Sequence, residues 1–262
     1  MCIYPAQYDQ REYIKWHEEK FPDDSSLLEK LEMRRNELQT QSQEKLKLIG
    51  QVLEYGFSYC TSEYKTSKEV AVTYDSPLLK CVQKQSLMGS EYKNLFKTVP
   101  SIVNKLWRKN KECETVNLSN IHQNIYDLIR TEIVSPTLDA ASFLAKRLDS
   151  KNLNIQSMGL KTQYIKNIES ITFEPEMKMD SGYFAYHGLV KFRDGITVEL
   201  QIYSILLKTW RNLSHKLYDK VRIEGSGQYD FGSTESRLIS LGHLLHLAEC
   251  EILRLEEEMC SK

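Results

Sequence analysis

Apolar residues recur along this chain in two rhythms, and the change of rhythm divides it. Leu27, Leu31 and Leu38 lie on one helical stripe, and Leu46, Ile49 and Leu53 resume it. That spacing predicts a long amphipathic helix with one face buried against the rest of the molecule. Ser26, with Glu29 three residues on, supplies a capping-box pattern at its start. Residues 1–22 are aromatic and polar with no clear period, and 61–90 are equally mixed. Helix is predicted again over 101–110, entered at Pro100-Ser101, because proline is tolerated in a first helical turn. A buried strand is predicted over 124–134. Past Pro136 comes a helix over 137–149 that carries Leu138, Phe143, Leu144 and Leu148.

The period then shortens. Residues 168–173, 183–192 and 196–203 are rich in the β-branched and aromatic side chains of strands. Arg193-Asp194-Gly195 between the last two is a hairpin signal, since Asp-Gly accepts the positive φ such turns need. Those two strands are expected to be antiparallel neighbours. The helical period returns over 204–219, with Leu206, Trp210, Leu213 and Leu217 as the expected buried face and Lys208, Arg211 and His215 on another. Gly225, Gly227, Gly232 and Ser233 mark a loop. Beyond it Leu238, Leu241, Leu245, Ala248, Ile252, Leu255 and Met259 alternate spacings of three and four, a heptad seam. The seam is expected to pack on its own domain or, as the alternative, to pair copies of the chain into a homo-oligomer. The pattern as a whole predicts a mixed α/β (α+β) fold: a central, mainly antiparallel mixed sheet flanked by helices, with a helical extension at each end.

Composition narrows the function classes. At 262 residues, 41% hydrophobic and 27% charged, the chain has room for one mixed domain with helical additions, or at most two small ones. The net charge of -1 gives no whole-chain attraction to nucleic acid or anionic membrane, so any such site has to be a local basic patch. Six cysteines form no C-x-x-C pair and no zinc-like spacing, which fits a reducing compartment. The first twenty residues hold no secretory apolar segment, and no run approaches the roughly 18 apolar residues of a membrane helix. A cytoplasmic protein without a membrane partner is expected.

Candidate chemistry lies in the middle third. Asp127 is expected on one strand and Glu199 on another, with Gln201 on the same face as Glu199 because the strand period is two. Two carboxylates meeting at one end of a sheet make a candidate Mg²⁺ site, since this hard cation takes one or two carboxylates plus substrate phosphates. Lys93, Lys97, Lys105, Arg108 and Lys109 surround a helix start near Ser101, a setting suited to a polyphosphate. Taken alone, such a run is a solvated face. Gly182 lets backbone approach a ligand closely. Tyr183 behind it can stack on a base, and His187 shares the strand face of Tyr183.

In order and spacing these segments resemble the synthetase domain of the RelA/SpoT alarmone synthetases. That family shows a basic R-x-K…S-I-x-x-K segment, a D-L-x-G-x-R strand, a G-Y-x-S-x-H segment, an E-I-Q-I-R-T strand and a W-A-x-x-x-H-x-x-x-Y-K helix. The matching stretches begin at Lys97, Asp127, Gly182, Glu199 and Trp210, and the likeness covers roughly 92–220. It implies a nucleotidyltransferase-like fold with an N-terminal helical extension at 1–90, the synthetase-like domain at 91–222 and a C-terminal amphipathic helix at 223–262. It implies transfer of pyrophosphate from ATP to the 3′-hydroxyl of a guanosine nucleotide, with Mg²⁺. Asp127 would bind the metal. Glu199 would help hold it and activate the acceptor hydroxyl. Tyr183 would stack on the acceptor guanine, with Gly182 and His187 beside it. Lys97, Ser101 and Lys105 would contact donor phosphates, and Gln201 and His215 would support the site. Free-standing members include growth-arresting toxins, some acting on the 3′ end of tRNA, so a tRNA acceptor and an antitoxin partner are the implied alternatives.

The pattern breaks at three arginines. Leu95, Glu132 and Tyr203 stand where the family has Arg. Arginine carries a planar fork and a permanent charge, so none of these changes is conservative. Two readings follow. In the first, Arg130, Lys208 and Arg211 supply the donor phosphates with positive charge, and Tyr203 stacks where an arginine stood. Arg130 lies two residues before Glu132 and on the same strand face, about 7 Å away. In the second, Arg130 and Glu132 pair with each other, the donor site is lost, and the domain persists as a nucleotide-binding regulatory module.

Overall fold

The computed structural model describes residues 3–68, 71–84, 87, 89–112, 115–149, 166–224 and 232–260. Helix α1 (Gln10–Lys20) is opened by Asp9, whose carboxylate accepts the Glu12 N–H at 2.9 Å. A 3₁₀ turn at Pro22–Asp24 leads to α2 (Leu27–Gln41). The expected capping box does not form. Ser26 sits at φ +60, its side chain makes no cap, and Glu18 of α1 accepts the Leu27 N–H at 2.8 Å instead. The apolar stripe is also not one helix: it breaks at the buried Ser42 and resumes in α3 (Gln43–Lys68). Its six residues, from Leu27 to Leu53, are all buried, as the spacing predicted.

Four helices follow: α4 (Pro77–Gln83), α5 (Ser90–Lys93), α6 (Val99–Lys111) and α7 (Ile121–Asn124). Strand β1 (Arg130–Ser135) is shorter than predicted, and Asp127 lies in the turn before it rather than on it. The cause is a non-local pairing. The Lys97 N–H donates to the Leu128 carbonyl at 2.9 Å, and the Arg130 N–H to the Leu95 carbonyl at 2.8 Å. The backbone of 128–130 is thus partly satisfied by residues 95–97, outside the sheet.

Next come α8 (Leu138–Leu148), capped by Thr137, and the strands β2 (Ile168–Lys178), β3 (Tyr183–Phe192) and β4 (Thr197–Ser204). The sheet order is β1-β4-β3-β2, with β1 parallel to β4 and the other neighbours antiparallel. The β3–β4 hairpin turns where expected, with Gly195 at φ +87. Strand β4 runs into α9 (Ile205–Glu224), and α10 (Thr234–Cys260) closes the described chain. The Gly225–Gly227 part of the predicted loop lies outside the described residues. No helix among those described is long and apolar enough to cross a membrane.

Strand alternation gives the sheet two unlike faces. Ile133, Leu200, Ile202, Val190 and Ile171 join the main core, with Leu53 of α3 and Leu144 and Leu148 of α8. Arg130, Glu132, Glu199, Gln201, Tyr203, His187 and Tyr183 alternate with them, on the opposite face. Two helix readings need correction. On α9 the buried residues are Leu207 and Trp210, at 1% and 3% exposure, while Leu206 and Leu213 are 43% and 49% exposed. On α10 the heptad residues Leu241, Ala248, Ile252, Leu255 and Met259 face outward, whereas Gly242 and Glu249 are buried. Of the seam, Leu245 packs on the cluster of Leu138, Phe184, Tyr203 and Leu207.

Candidate active site

Strand β4 sets the geometry. Glu199 lies opposite Leu189 of β3, and Gln201 lies opposite His187. His187 reaches along this face to three partners. Its Nδ1 is 3.0 Å from Glu199 Oε1, and its Nε2 is 2.8 Å from both the Tyr183 hydroxyl and Glu176 Oε2 of β2. Burial alone would raise the Glu199 carboxyl, but the hydrogen bond and charge of His187 outweigh it and hold Glu199 below the usual carboxylate range.

Asp127 is held by lysines. Its Oδ2 accepts from Lys97 Nζ at 2.6 Å and lies 3.7 Å from Lys105 Nζ. Here too burial pushes the carboxyl up, and Lys97, Lys105 and Arg130 together bring it below its ordinary value. Its Oδ1 is buried and has no hydrogen-bond partner. A buried acceptor left open costs about 1–3 kcal/mol, so a ligand is the natural completion. Asp127 and Glu199 line one cleft of about 420 Å³, together with Lys105, Lys109, Tyr126 and His187.

The donors present fit a divalent cation. The carboxylates of Asp127 and Glu199 are hard oxygen donors from residues that line a common cleft. Mg²⁺ takes one or two carboxylates and completes its shell with water and phosphate oxygens. It therefore does not need a cluster of three His, Cys, Asp or Glu, and there is none among the described residues.

A second, larger cavity of about 590 Å³ is lined by Leu95, Arg130, Glu132, Gln201, Arg211 and His215, among others. Its charges are not arranged as either sequence reading expected. Arg130 and Glu132 do not pair. Glu132 Oε1 accepts from Lys208 Nζ, and its Oε2 accepts from Arg211 Nη1 at 3.0 Å. Arg211 Nη2 donates to Gln201 Oε1 at 3.0 Å, and the guanidinium carbon lies 4.9 Å from the centre of the Tyr203 ring. Arg130 keeps its guanidinium clear of any ion pair or side-chain hydrogen bond among the described residues. Glu132 thus offsets one of the two charges on Lys208 and Arg211, and Arg130 adds a cation to the same cavity.

Other expected contacts are placed differently. Lys97 is buried under Asp127 and holds that carboxylate in place rather than facing a ligand. Burial works to lower its ammonium pKa, and Asp127 works against that. Ser101 accepts the Thr98 hydroxyl at 2.9 Å and lines neither cleft. Gly182, at φ +70, approaches a helix and not a ligand: a Cβ on Gly242 of α10 would collide with the Gly182 carbonyl oxygen and come within 2.8 Å of a Trp210 ring carbon. His243 Nε2, 2.9 Å from the Met179 carbonyl, and Trp210 Nε1, donating to the Leu238 carbonyl at 2.7 Å, fasten the same contact. Tyr183 is partly buried, with its hydroxyl on His187 and its ring lining neither cleft. Lys105 and Lys109 line the smaller cleft one helical turn apart, and Lys97 is buried rather than on the surface. The sequence reading missed Glu176, the second carboxylate on His187. Its signal was strand parity: Glu174 and Glu176 alternate on β2, opposite His187 and Ala185.

No family model and no curated protein matches the chain. Solved structures do. The small alarmone synthetase 1 from Bacillus subtilis matches over 88% of this chain and 100% of that one, at 17% identity and a TM-score of 0.49. The protein smu.1046c from Streptococcus mutans UA159 matches over 84% and 93%, at 16% identity and 0.46. The small alarmone synthetase 2 from Bacillus subtilis matches over 79% and 96%, at 16% identity and 0.38. At such identities, function has to be read from the side chains of the two clefts.

Proposed function

We propose that this chain is a pyrophosphotransferase that moves pyrophosphate from ATP to the 3′-hydroxyl of a guanosine nucleotide with the help of Mg²⁺. The observation that carries the reading is the meeting of Asp127, with its open Oδ1, and Glu199, held ionised by His187, on one cleft faced by Lys105. The order of the five motifs supports it independently.

Each residue then has a task. Asp127 and Glu199 would hold the cation, which would neutralise donor phosphate oxygens. Glu199 accepts the proton of the acceptor 3′-hydroxyl. The freed oxygen attacks the β-phosphorus of ATP in line, the bond from that phosphorus to the bridging α–β oxygen breaks, and AMP leaves with the electron pair. Lys105 and Arg130 offset the charge that builds on the phosphates. His187 positions Glu199 and is itself fixed by Tyr183 and Glu176. A free nucleotide is preferred to a tRNA end as acceptor, because Lys97, one of the four lysines of the expected basic patch, is buried.

The test is transfer of label from γ-³²P-ATP, with Mg²⁺, to GDP, GTP, ADP or tRNA. Label in a guanosine nucleotide, lost on chelation and in Glu199→Gln, is expected. No label in any acceptor at high enzyme concentration would overturn the reading, and label in tRNA alone would replace the acceptor.

A further inference from the structure

We propose that Arg35 of α2 is a positioning residue for Asp127, acting through the backbone of Lys97. This rests on the reading above, since it takes Asp127 as a ligand of the cation.

Lys97 fixes Asp127 and is itself pinned at three points. Its Nζ donates to Asp127 Oδ2 at 2.6 Å. Its N–H donates to the carbonyl of Leu128, the residue after Asp127, at 2.9 Å. Its own carbonyl accepts from Arg35 Nε at 3.2 Å. The first two bonds join Lys97 to the turn that carries Asp127, so they would let the pair shift together. The third anchors both to a helix outside that turn.

The anchor has two prongs. Arg35 Nη2 donates to the Lys93 carbonyl at 3.3 Å, and Nη1 lies 3.4 Å from Glu32 Oε1. Lys93 ends α5, where the last carbonyls of a helix lack partners within it. One planar guanidinium thus spans both ends of residues 93–97, the segment whose backbone pairs with 128–130. The Arg35 side chain is only 17% exposed, so water competes weakly for these bonds. A second tie runs beside it, from the Tyr92 hydroxyl to the Gln39 carbonyl of α2 at 2.6 Å.

Position matters because Asp127 Oδ2 is taken by Lys97. The open Oδ1 therefore points wherever Lys97 holds the carboxylate. Carboxylates that ligate metals are oriented by hydrogen bonds, and losing such a partner typically lowers metal affinity about 10–100-fold. Arg35 stands one step further out, so the lower end of that range is expected. It also lies outside the 92–220 stretch that carries the motifs, which makes α2 part of the scaffold of the site.

The test is Mn²⁺ binding, with Mn²⁺ standing in for Mg²⁺, read by electron paramagnetic resonance beside a non-hydrolysable ATP analogue. Arg35→Ala should weaken Mn²⁺ about tenfold. Arg34→Ala is the comparison. Arg34, on the same helix, also donates to a backbone carbonyl, that of Leu118 at 2.6 Å, and Leu118 is tied in turn to Asp24. Its loss should lower the melting point about as much as that of Arg35, yet leave Mn²⁺ affinity within about twofold. Arg35→Lys keeps the charge without the fork and should fall between; it carries the comparison if Arg35→Ala does not fold. Unchanged Mn²⁺ affinity in the Arg35 variants, or an equal loss in Arg34→Ala, overturns the proposal. In transfer assays the Mg²⁺ concentration for half-maximal rate should rise about tenfold in Arg35→Ala, with the rate at saturating Mg²⁺ within about threefold. A rate loss that Mg²⁺ does not restore overturns it too. The positioning role and the enzymatic reading fail separately. If transfer occurs while all variants bind Mn²⁺ alike, the positioning role is wrong. If Mn²⁺ weakens only in the Arg35 variants but no acceptor is labelled, the enzymatic reading is wrong.

Discussion

Two clefts open on the polar face of the sheet, and they handle charge in opposite ways. In the smaller one, two carboxylates are kept ionised against burial, and one oxygen of Asp127 has no partner. In the larger one, a carboxylate closes on two cations and leaves the surface beside Arg130 net positive. The first arrangement suits a metal and phosphates, the second an anionic group. The difference teaches that the sign of a substituted residue means little until its partners are known. Glu132 does not reverse the charge of its cavity, because Lys208 and Arg211 close on it.

The largest effect should separate the two clefts outright. Glu199→Gln is expected to lower transfer about 10³-fold, with nucleotide affinity within a few-fold. Single-turnover kinetics beside calorimetry measures both, and an equal rate loss in Glu132→Gln would erase the contrast. Next comes His187→Ala. Without the imidazole, burial and the Asp127 charge are opposed only by the Gln201 hydrogen bond, so the Glu199 carboxyl pKa rises. As a base it works above that pKa and is lost as pH falls through it. The acid limb of the kcat/KM profile should therefore move to higher pH, and an unmoved limb would mean that His187 does not hold Glu199.

Smaller changes probe the support that α10 gives the start of β3. Gly242→Ala would gain roughly 1 kcal/mol of helix propensity. It should still destabilise the protein by about 2 kcal/mol, because the new methyl meets the Gly182 carbonyl. Thermal denaturation should show the melting point falling by several degrees, and acceptor KM should rise more than donor KM. Leu255→Glu, on the outer stripe of α10, should change stability by no more than about 0.5 kcal/mol and alter neither nucleotide's binding. If light scattering shows that this variant loses mass, the seam pairs copies of the chain.

Local signals made much of the fold legible. Strand β3 and α8 lie within a residue or so of their predicted limits, because a hairpin turn and a threonine cap mark their ends. Where the reading missed, the deciding contact was distant. Asp127 left the strand because residues 95–97 pair with 128–130. Glu132 took partners 76 and 79 residues away on α9. Gly182 was assigned to a ligand, and its actual neighbour is another glycine on α10. The candidate chemistry was legible as a set of residue types. Which of them hold one another in place, as Lys97 holds Asp127, was not.

The glycine crossing also has a consequence for timing. A ribosome delivers β1 through β4 before it makes α10. A nascent chain paused before Thr234 already contains Asp127, His187 and Glu199, yet lacks the helix α10 that packs on the turn at Gly182 from which β3 departs. The start of β3 is therefore held only when α10 has been made and has docked, so incomplete chains should carry the proposed catalytic residues without the proposed activity.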